Sequence, residues 1–206
     1  MITISLCMIV KNEEDVLSRC LDSAKDIVDE IIIVDTGSTD KTVEIAKEYT
    51  KNVYHFKWID DFAAARNFSF SKATKDYILW LDADDVILEE HKQEFLKLKN
   101  TLPYSIDVVM LPYHVAFDEN NIVTHSYYRE RLLKREKNFQ WLGAIHEAIP
   151  PQGTVIFGKA AISHKKLHPS DPDRNIRIFE KLLSEGKELE PRQQFYYARE
   201  LYYHKK

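Results

Sequence analysis

Tyr77-Ile78-Leu79-Trp80-Leu81-Asp82-Ala83-Asp84-Asp85 is an apolar run that ends abruptly in acid. Five consecutive large apolar side chains read as a strand buried on both faces, so the carboxylates stand where the strand leaves the core. Side chains alternate along extended chain, which sends Asp82 and Asp84 to one side and Ala83 to the other. Carboxylates so placed repel each other. A hard cation such as Mg²⁺ or Mn²⁺, shared with substrate phosphates, removes that repulsion. The other reading of the same residues is an acidic turn in which an Asp caps a helix starting near Val86.

The same alternation of apolar run and polar break extends upstream. Residues 4–10 and 30–35 read as buried strands, and 53–56 as a shorter one. The first strand breaks at Lys11-Asn12-Glu13-Glu14, where Asn12 is placed to cap a helix. Val16, Leu17, Cys20, Leu21 and Ala24 then recur at helical spacing. The second strand runs into Asp35-Thr36-Gly37-Ser38-Thr39-Asp40, a loop of turn and capping residues. Residues 41–49, 62–73 and 89–102 read as helices. This β-α-β-α-β-α-β order predicts an α/β fold, with a mostly parallel sheet covered by helices on both faces.

After Pro103 the pattern changes. Residues 107–117 and 129–135 read as longer, less buried strands around a turn at Asp118-Glu119-Asn120-Asn121. Residues 154–157 read as one more short strand. A break at 169–172 precedes two helices at 174–183 and 191–203, which suggests a main domain over 1–168 and a helical extension over 169–206. No complete internal repeat and no low-complexity segment is present.

The chain of 206 residues is 44% hydrophobic, enough for one ordinary domain. A chain this long buries roughly 70% of its unfolded surface. Its 29 basic and 33 acidic residues leave a net charge of −4. That balance argues against nucleic acid as a partner, so any phosphate site must be built locally. Cys7 and Cys20 fall on a strand and a helix face and read as small core residues, with no zinc or disulfide pattern. No apolar stretch approaches about 18 residues, so no membrane span is expected. Lysine follows the apolar N-terminal stretch, the wrong order for a signal peptide, and a reducing cytoplasm is the expected location.

In a parallel sheet the three polar strand ends share one crevice: Lys11-Asn12-Glu13, Asp35 with Ser38 and Asp40, and Asp82 with Asp84 and Asp85. Together they offer acceptors for a base, groups for a ribose and a metal for a diphosphate. The Asp35 carboxylate suits the imide N–H of uracil; the other reading is a turn former that holds the Gly37 loop. Val34 to Asp40 with Leu81 to Asp85 resembles the family 2 glycosyltransferases of GT-A fold, a Rossmann-like architecture. Met8-Ile9-Val10-Lys11-Asn12-Glu13-Glu14 and Ala64-Ala65-Arg66-Asn67 add to the likeness, in the same order and spacing. The resemblance covers roughly residues 2–168. It implies a UDP-sugar donor, inversion at the anomeric carbon and Mn²⁺ or Mg²⁺. It implies donor contacts from Val10, Asn12, Glu13, Asp35, Ser38, Arg66, Asp82, Ala83, Asp84 and Trp141. Asp35 would lie near uracil, Asp82 near ribose, Asp84 on the metal, and Arg66 near the phosphates or the base.

Trp141-Leu142-Gly143-Ala144-Ile145-His146-Glu147 and then Ile162-Ser163-His164 are similar to a bacterial branch often fused to tetratricopeptide repeats. Some members of that branch glycosylate peptide cysteines. The final aromatic helix resembles the opening of such a repeat. It is either an incomplete repeat or a helix packed on the catalytic domain. The branch usually has a Gly-aromatic step after its histidine, where this chain has Lys165-Lys166-Leu167-His168. An inverting transfer needs a group to accept the proton of an attacking hydroxyl or thiol, on a saccharide, peptide or protein, and Glu147 is the candidate. His146 would orient it or be the base itself. His164 would be a second metal ligand, from a loop closing over the donor.

Three rivals remain. A haloacid-dehalogenase-type phosphotransferase shares the Asp-x-Asp-x-Val start at Asp82. It needs a later lysine and a second acidic pair, for which Asp171-Pro172-Asp173 is a poor substitute. A nucleotidyltransferase wants a glycine-rich basic loop where Lys11 to Glu14 is acidic. A non-catalytic binding module would keep the fold and lose the base.

Overall fold

Residues 1–168 and 171–205 are described by the computed structural model. Pro169 and Ser170, within the expected break, and Lys206 lie outside the described residues. The elements run β1 (Ile4–Val10), α1 (Leu17–Ala24), β2 (Glu30–Asp35), α2 (Thr42–Tyr49), β3 (Val53–His55), α3 (Phe62–Phe70), β4 (Tyr77–Trp80) and β5 (Asp85–Val86). They continue with α4 (Glu89–Thr101), β6 (Val108–Phe117), β7 (Val123–Lys134), β8 (Val155–Phe157), β9 (Ile162–His164), α5 (Arg174–Ser184) and α6 (Pro191–Tyr203).

Strand alternation builds the core. Leu6 and Met8 turn to the face covered by α1, α2 and α4, where Leu17, Leu21, Ala46 and Phe95 join them. Cys7, Ile32, Ile78 and Trp80 turn to the other face, under Ala63 and Phe70 of α3. Both cysteines are buried and unpaired. β3, β2, β1 and β4 pair in parallel, in that order. The parallel order stops there. β7 lies antiparallel beside β4 through Tyr77↔Lys134 to Leu79↔Leu132, and β6 is antiparallel to β7. β8 and β9 run along the far edge of β6, and β5 closes the sheet antiparallel to β9.

Two local expectations are corrected. No helix starts near Val86: Asp85 and Val86 form a strand paired to His164 and Ser163, and α4 begins at Glu89. Asp85 is therefore no cap. Asn12 does not cap α1 either. It sits at φ +54, and its Oδ1 accepts from the Thr39 amide at 2.8 Å. The C-terminal helices pack on the main fold: Ile178, Phe179 and Leu182 close over Ala144 and Ile145, with Trp58, Phe62, Tyr196 and Tyr197 around them. Among the described residues no helix is long and apolar enough to cross a membrane.

The least expected core feature is an ion pair. Arg131 Nη1 meets Asp85 Oδ2 at 3.0 Å with both side chains fully buried. The guanidinium also lies 3.7 Å from the Trp80 ring centroid and 4.2 Å from that of Tyr113. Removing one partner of such a pair strands the other charge in the core. Asp85→Ala is expected to lower stability by about 3–5 kcal/mol, read as the shift of a urea unfolding curve. A change under about 1 kcal/mol would show that the pair is dispensable.

Candidate active site

β1 lies between β2 and β4, so the chain leaves β2 to one side and β4 to the other. Ligands of open α/β sheets collect at such a switch point. A cleft of about 820 Å³ opens there. Val10, Lys11, Glu13, Thr36, Asp82, Ala83 and Asp84 line its floor, and Glu147, Arg66 and His164 also face it.

The loops after β1 and β2 hold each other. The Asn12 amide donates to Ser38 Oγ at 3.0 Å, and the Asp35 carboxylate accepts from the Gly37 and Ser38 amides at 3.1 and 3.0 Å. Gly37 has φ +105, a conformation that favours glycine. Burial would raise the Asp35 carboxyl, but these bonds, chiefly those from Ser38, hold it below its ordinary value. Asp35 thus forms the turn, and Asn12 and Ser38 tie the loops together.

Arg66 joins the two sides of the cleft. Its Nη2 meets Asp82 Oδ1 and its Nε meets Glu147 Oε1, each at 2.7 Å. Its guanidinium lies 5.3 Å from the Trp80 ring centroid and 4.8 Å from that of Trp141. Burial alone would raise the Asp82 carboxyl, but Arg66 and then Arg131 hold it down at about 2. The neighbouring Asn67 exchanges two hydrogen bonds with the Trp141 backbone, at 2.8 and 3.0 Å. Two consecutive residues of α3 therefore fix the segment that carries Glu147. Trp141 itself is buried beneath Arg66 and does not line the cleft.

His146 lines the cleft with Glu147, but its ring is engaged on its other side. Its Nε2 meets Glu200 Oε1 at 3.1 Å, and its ring stacks on Tyr196 with centroids 4.1 Å apart. The contact that orients Glu147 comes from Arg66 instead.

His164 arrives on strand β9 rather than on a loop. Its Nδ1 is 3.3 Å from Asp84 and 3.3 Å from Asp85. Hydrogen bonds to these two carboxylates push the imidazole up to about 10, so its proton stands where a cation would balance the acids. One ligand atom each from Asp84, Asp85 and His164 lies within 4.8 Å of the others. Asp85 is already committed to Tyr113 at 2.8 Å, to Arg131 at 3.0 Å and to the Asp82 amide at 3.1 Å. It suits the role of an orienting carboxylate behind the histidine. Asp84 and His164 face the cleft and form a donor set compatible with Mn²⁺ or Mg²⁺. Sequence reasoning put Asp85 in the shared crevice with Asp82 and Asp84; the structure turns it inward, fully buried, because the residue after the alternating pair points to the opposite side of the chain.

A profile described as glycosyl transferase family 2 matches residues 5–160. The chain is 32% identical over 217 aligned residues to the SPbeta prophage-derived glycosyltransferase SunS of Bacillus subtilis, covering 97% of this chain and 49% of that protein. A TPR repeat-containing protein of Synechococcus elongatus is 52% identical over 90 residues, covering 44% of this chain and 22% of that one. The chain thus spans about half or less of the length of these curated relatives. Among solved structures, glucosyl-3-phosphoglycerate synthase of Mycobacterium tuberculosis shares the fold with a TM-score of 0.60 at 16% identity, over 91% of this chain and 81% of that one.

Glu13 sets a pH dependence. Burial, then the charges of Asp84 and Asp82, push its carboxyl up from 4.5 to about 7. Between those values the folded chain holds the proton and the unfolded chain has lost it. The associated stability is therefore present below the lower value and lost as pH rises through the upper one. In EDTA the protein is expected to melt lower at about pH 8 than at about pH 5, and Glu13→Gln to narrow that gap. His164 acts with the same sign in both proteins. An equally wide gap in the variant would clear Glu13 of the effect.

Proposed function

The chain belongs to glycosyl transferase family 2, and on that basis we propose that it transfers a sugar, with inversion, from a UDP-sugar to a hydroxyl or thiol acceptor. The observation that carries the reading is Arg66. One buried guanidinium joins Asp82 on the donor floor to Glu147 on the opposite side of the same cleft. The structural neighbour, in its complex with Mn²⁺, UDP-glucose and phosphoglyceric acid, supports the choice of donor.

In this reading Asp35 accepts from the uracil imide while its turn keeps the base in place, and Asp82 accepts from a ribose hydroxyl. Asp84 and His164 hold Mn²⁺ or Mg²⁺, which when bound neutralises charge on the leaving diphosphate. Glu147 takes the acceptor's proton as the new bond forms at the anomeric carbon and the bond to the diphosphate breaks. Attack from the face opposite the leaving group inverts that centre. Arg66 aims the Glu147 carboxylate, which fixes the attacking atom at the start of the reaction.

Donor and metal are tested together. UDP with Mn²⁺ at ~100 times its dissociation constant adds about 2.7 kcal/mol to stability, a clear melting shift that EDTA should abolish and Asp84→Ala should lose. No shift in the parent protein would reject the donor assignment.

The base is tested separately. Glu147→Gln keeps size and hydrogen bonding, so UDP affinity should stay near normal while turnover falls ~10²–10⁴-fold. Transfer at the parent rate in that variant would move the base elsewhere. UDP-dependent stabilisation without any turnover in the parent would mark a binding module.

A further inference from the structure

Besides its acidic floor the cleft is lined by a second wall, drawn from α5, residues 58–62, Lys166 and Asp171. Lys166, Arg174, Arg177 and Lys181 share that wall with Asp60 and Asp171, a basic excess in a chain of net charge −4. Arg177 pairs with Asp171 at 2.6 Å, and Lys181 with Asp60. Arg174 differs. Among the described residues no carboxylate lies in salt-bridge range of it. Its guanidinium is 4.9 Å from the Phe62 ring centroid, and that ring meets Trp58 edge-on at 4.8 Å.

Arg174 is also held in place. Its Nε points to Asn175 Oδ1 at 3.4 Å, and Asn175 Nδ2 donates to Glu200 Oε1 at 3.0 Å. The same oxygen takes His146 Nε2 at 3.1 Å, next in the chain to Glu147. A polar chain thus sets Arg174 at a fixed offset from the proposed base, with its terminal nitrogens offered to no side-chain acceptor among the described residues. A planar guanidinium stacked on an aromatic face keeps its N–H edge for a planar or tetrahedral anion.

We propose that this wall is an acceptor subsite for an anionic group, a carboxylate or a phosphate, with Arg174 as its bidentate anchor. The acceptor then carries such a group beside its hydroxyl or thiol, and Trp58 and Phe62 cover its carbon skeleton. The inference rests on the glycosyltransferase reading of the cleft.

Sulfate, standing for phosphate, and acetate, standing for carboxylate, are titrated separately into the protein saturated with UDP and Mg²⁺. The arginine Nε–Hε resonances are followed, with chloride at equal ionic strength as control. At least one of the two anions is expected to bind saturably and to shift the Arg174 signal. Its affinity should fall roughly tenfold or more in Arg174→Gln and less in Arg174→Lys. The UDP-dependent melting shift should be equal in all three proteins. The anion with the tighter site names the source. The proposal is overturned if neither anion saturates, if Arg174→Gln binds like the parent, or if UDP and the anion exclude each other, since the wall would then serve the donor diphosphate. If UDP with Mg²⁺ gives no melting shift while the anion titrates as expected, the donor reading falls and the anion site stands.

Discussion

Arg66 is a buried cation, and a buried cation is tolerable only where counter-charges and polarisable faces surround it. Here the counter-charges are Asp82 and Glu147, and the faces belong to Trp80 and Trp141. Much of the site follows from satisfying that one side chain. Trp80 is the last residue of β4, so the guanidinium must sit where the strand ends. Trp141 must be packed under it, which draws the 141–147 segment across α3 and fixes Glu147 above the cleft. Without the cation, Asp82 and Glu147 would be two carboxylates with no charge to hold them together. The same contact gives the cleft a floor and an opposite side.

Asp85 does for the Asp84–His164 side of the cleft what Arg66 does for the Glu147 side. Its carboxylate gathers Tyr113 from β6, Arg131 from β7, His164 from β9 and the backbone of Asp82. Three distant strands and the adjoining turn meet on one buried anion. The antiparallel pairing of β5 with β9 sets the register: the Lys165 amide, next to the histidine, donates to the Asp84 carbonyl at 2.9 Å, and the histidine ring meets the Asp84 side chain at 3.3 Å. Rigid placement of this kind favours a cation that takes its remaining ligands from a substrate.

The strands and helices of the first hundred residues were legible because apolar runs and helical spacing report burial directly. The turn at Asp35 and the acids at Asp82 and Asp84 were legible because polar residues at strand ends have few structural excuses. Partners chosen by tertiary geometry were not. Nothing in the sequence says that Arg66 rather than His146 orients Glu147, because that depends on how α3 crosses the later segment. Nothing marks Arg131 as buried, because a basic residue in a half-apolar strand ordinarily faces water. Asn12 looked like a cap because local sequence cannot show that a second loop lies beside it.

The helical extension carries the last step. A composition break near residue 168 invites a division between a catalytic part and an appendage. In the structure α5 packs on the main fold and lines the same cleft. Its apolar stripe covers Ala144 and Ile145, the residues that lead into Glu147. Glu200 of α6 holds His146, so the turn bearing Glu147 is clamped from outside, with Gly143 at φ +94 and His146 at φ +52. Positive φ at a non-glycine residue carries strain that the surroundings must offset, and here the surroundings are α5 and α6. The floor of the cleft belongs to the strand ends, whereas its α5 lining and the hold on the Glu147 turn depend on helices beyond residue 168.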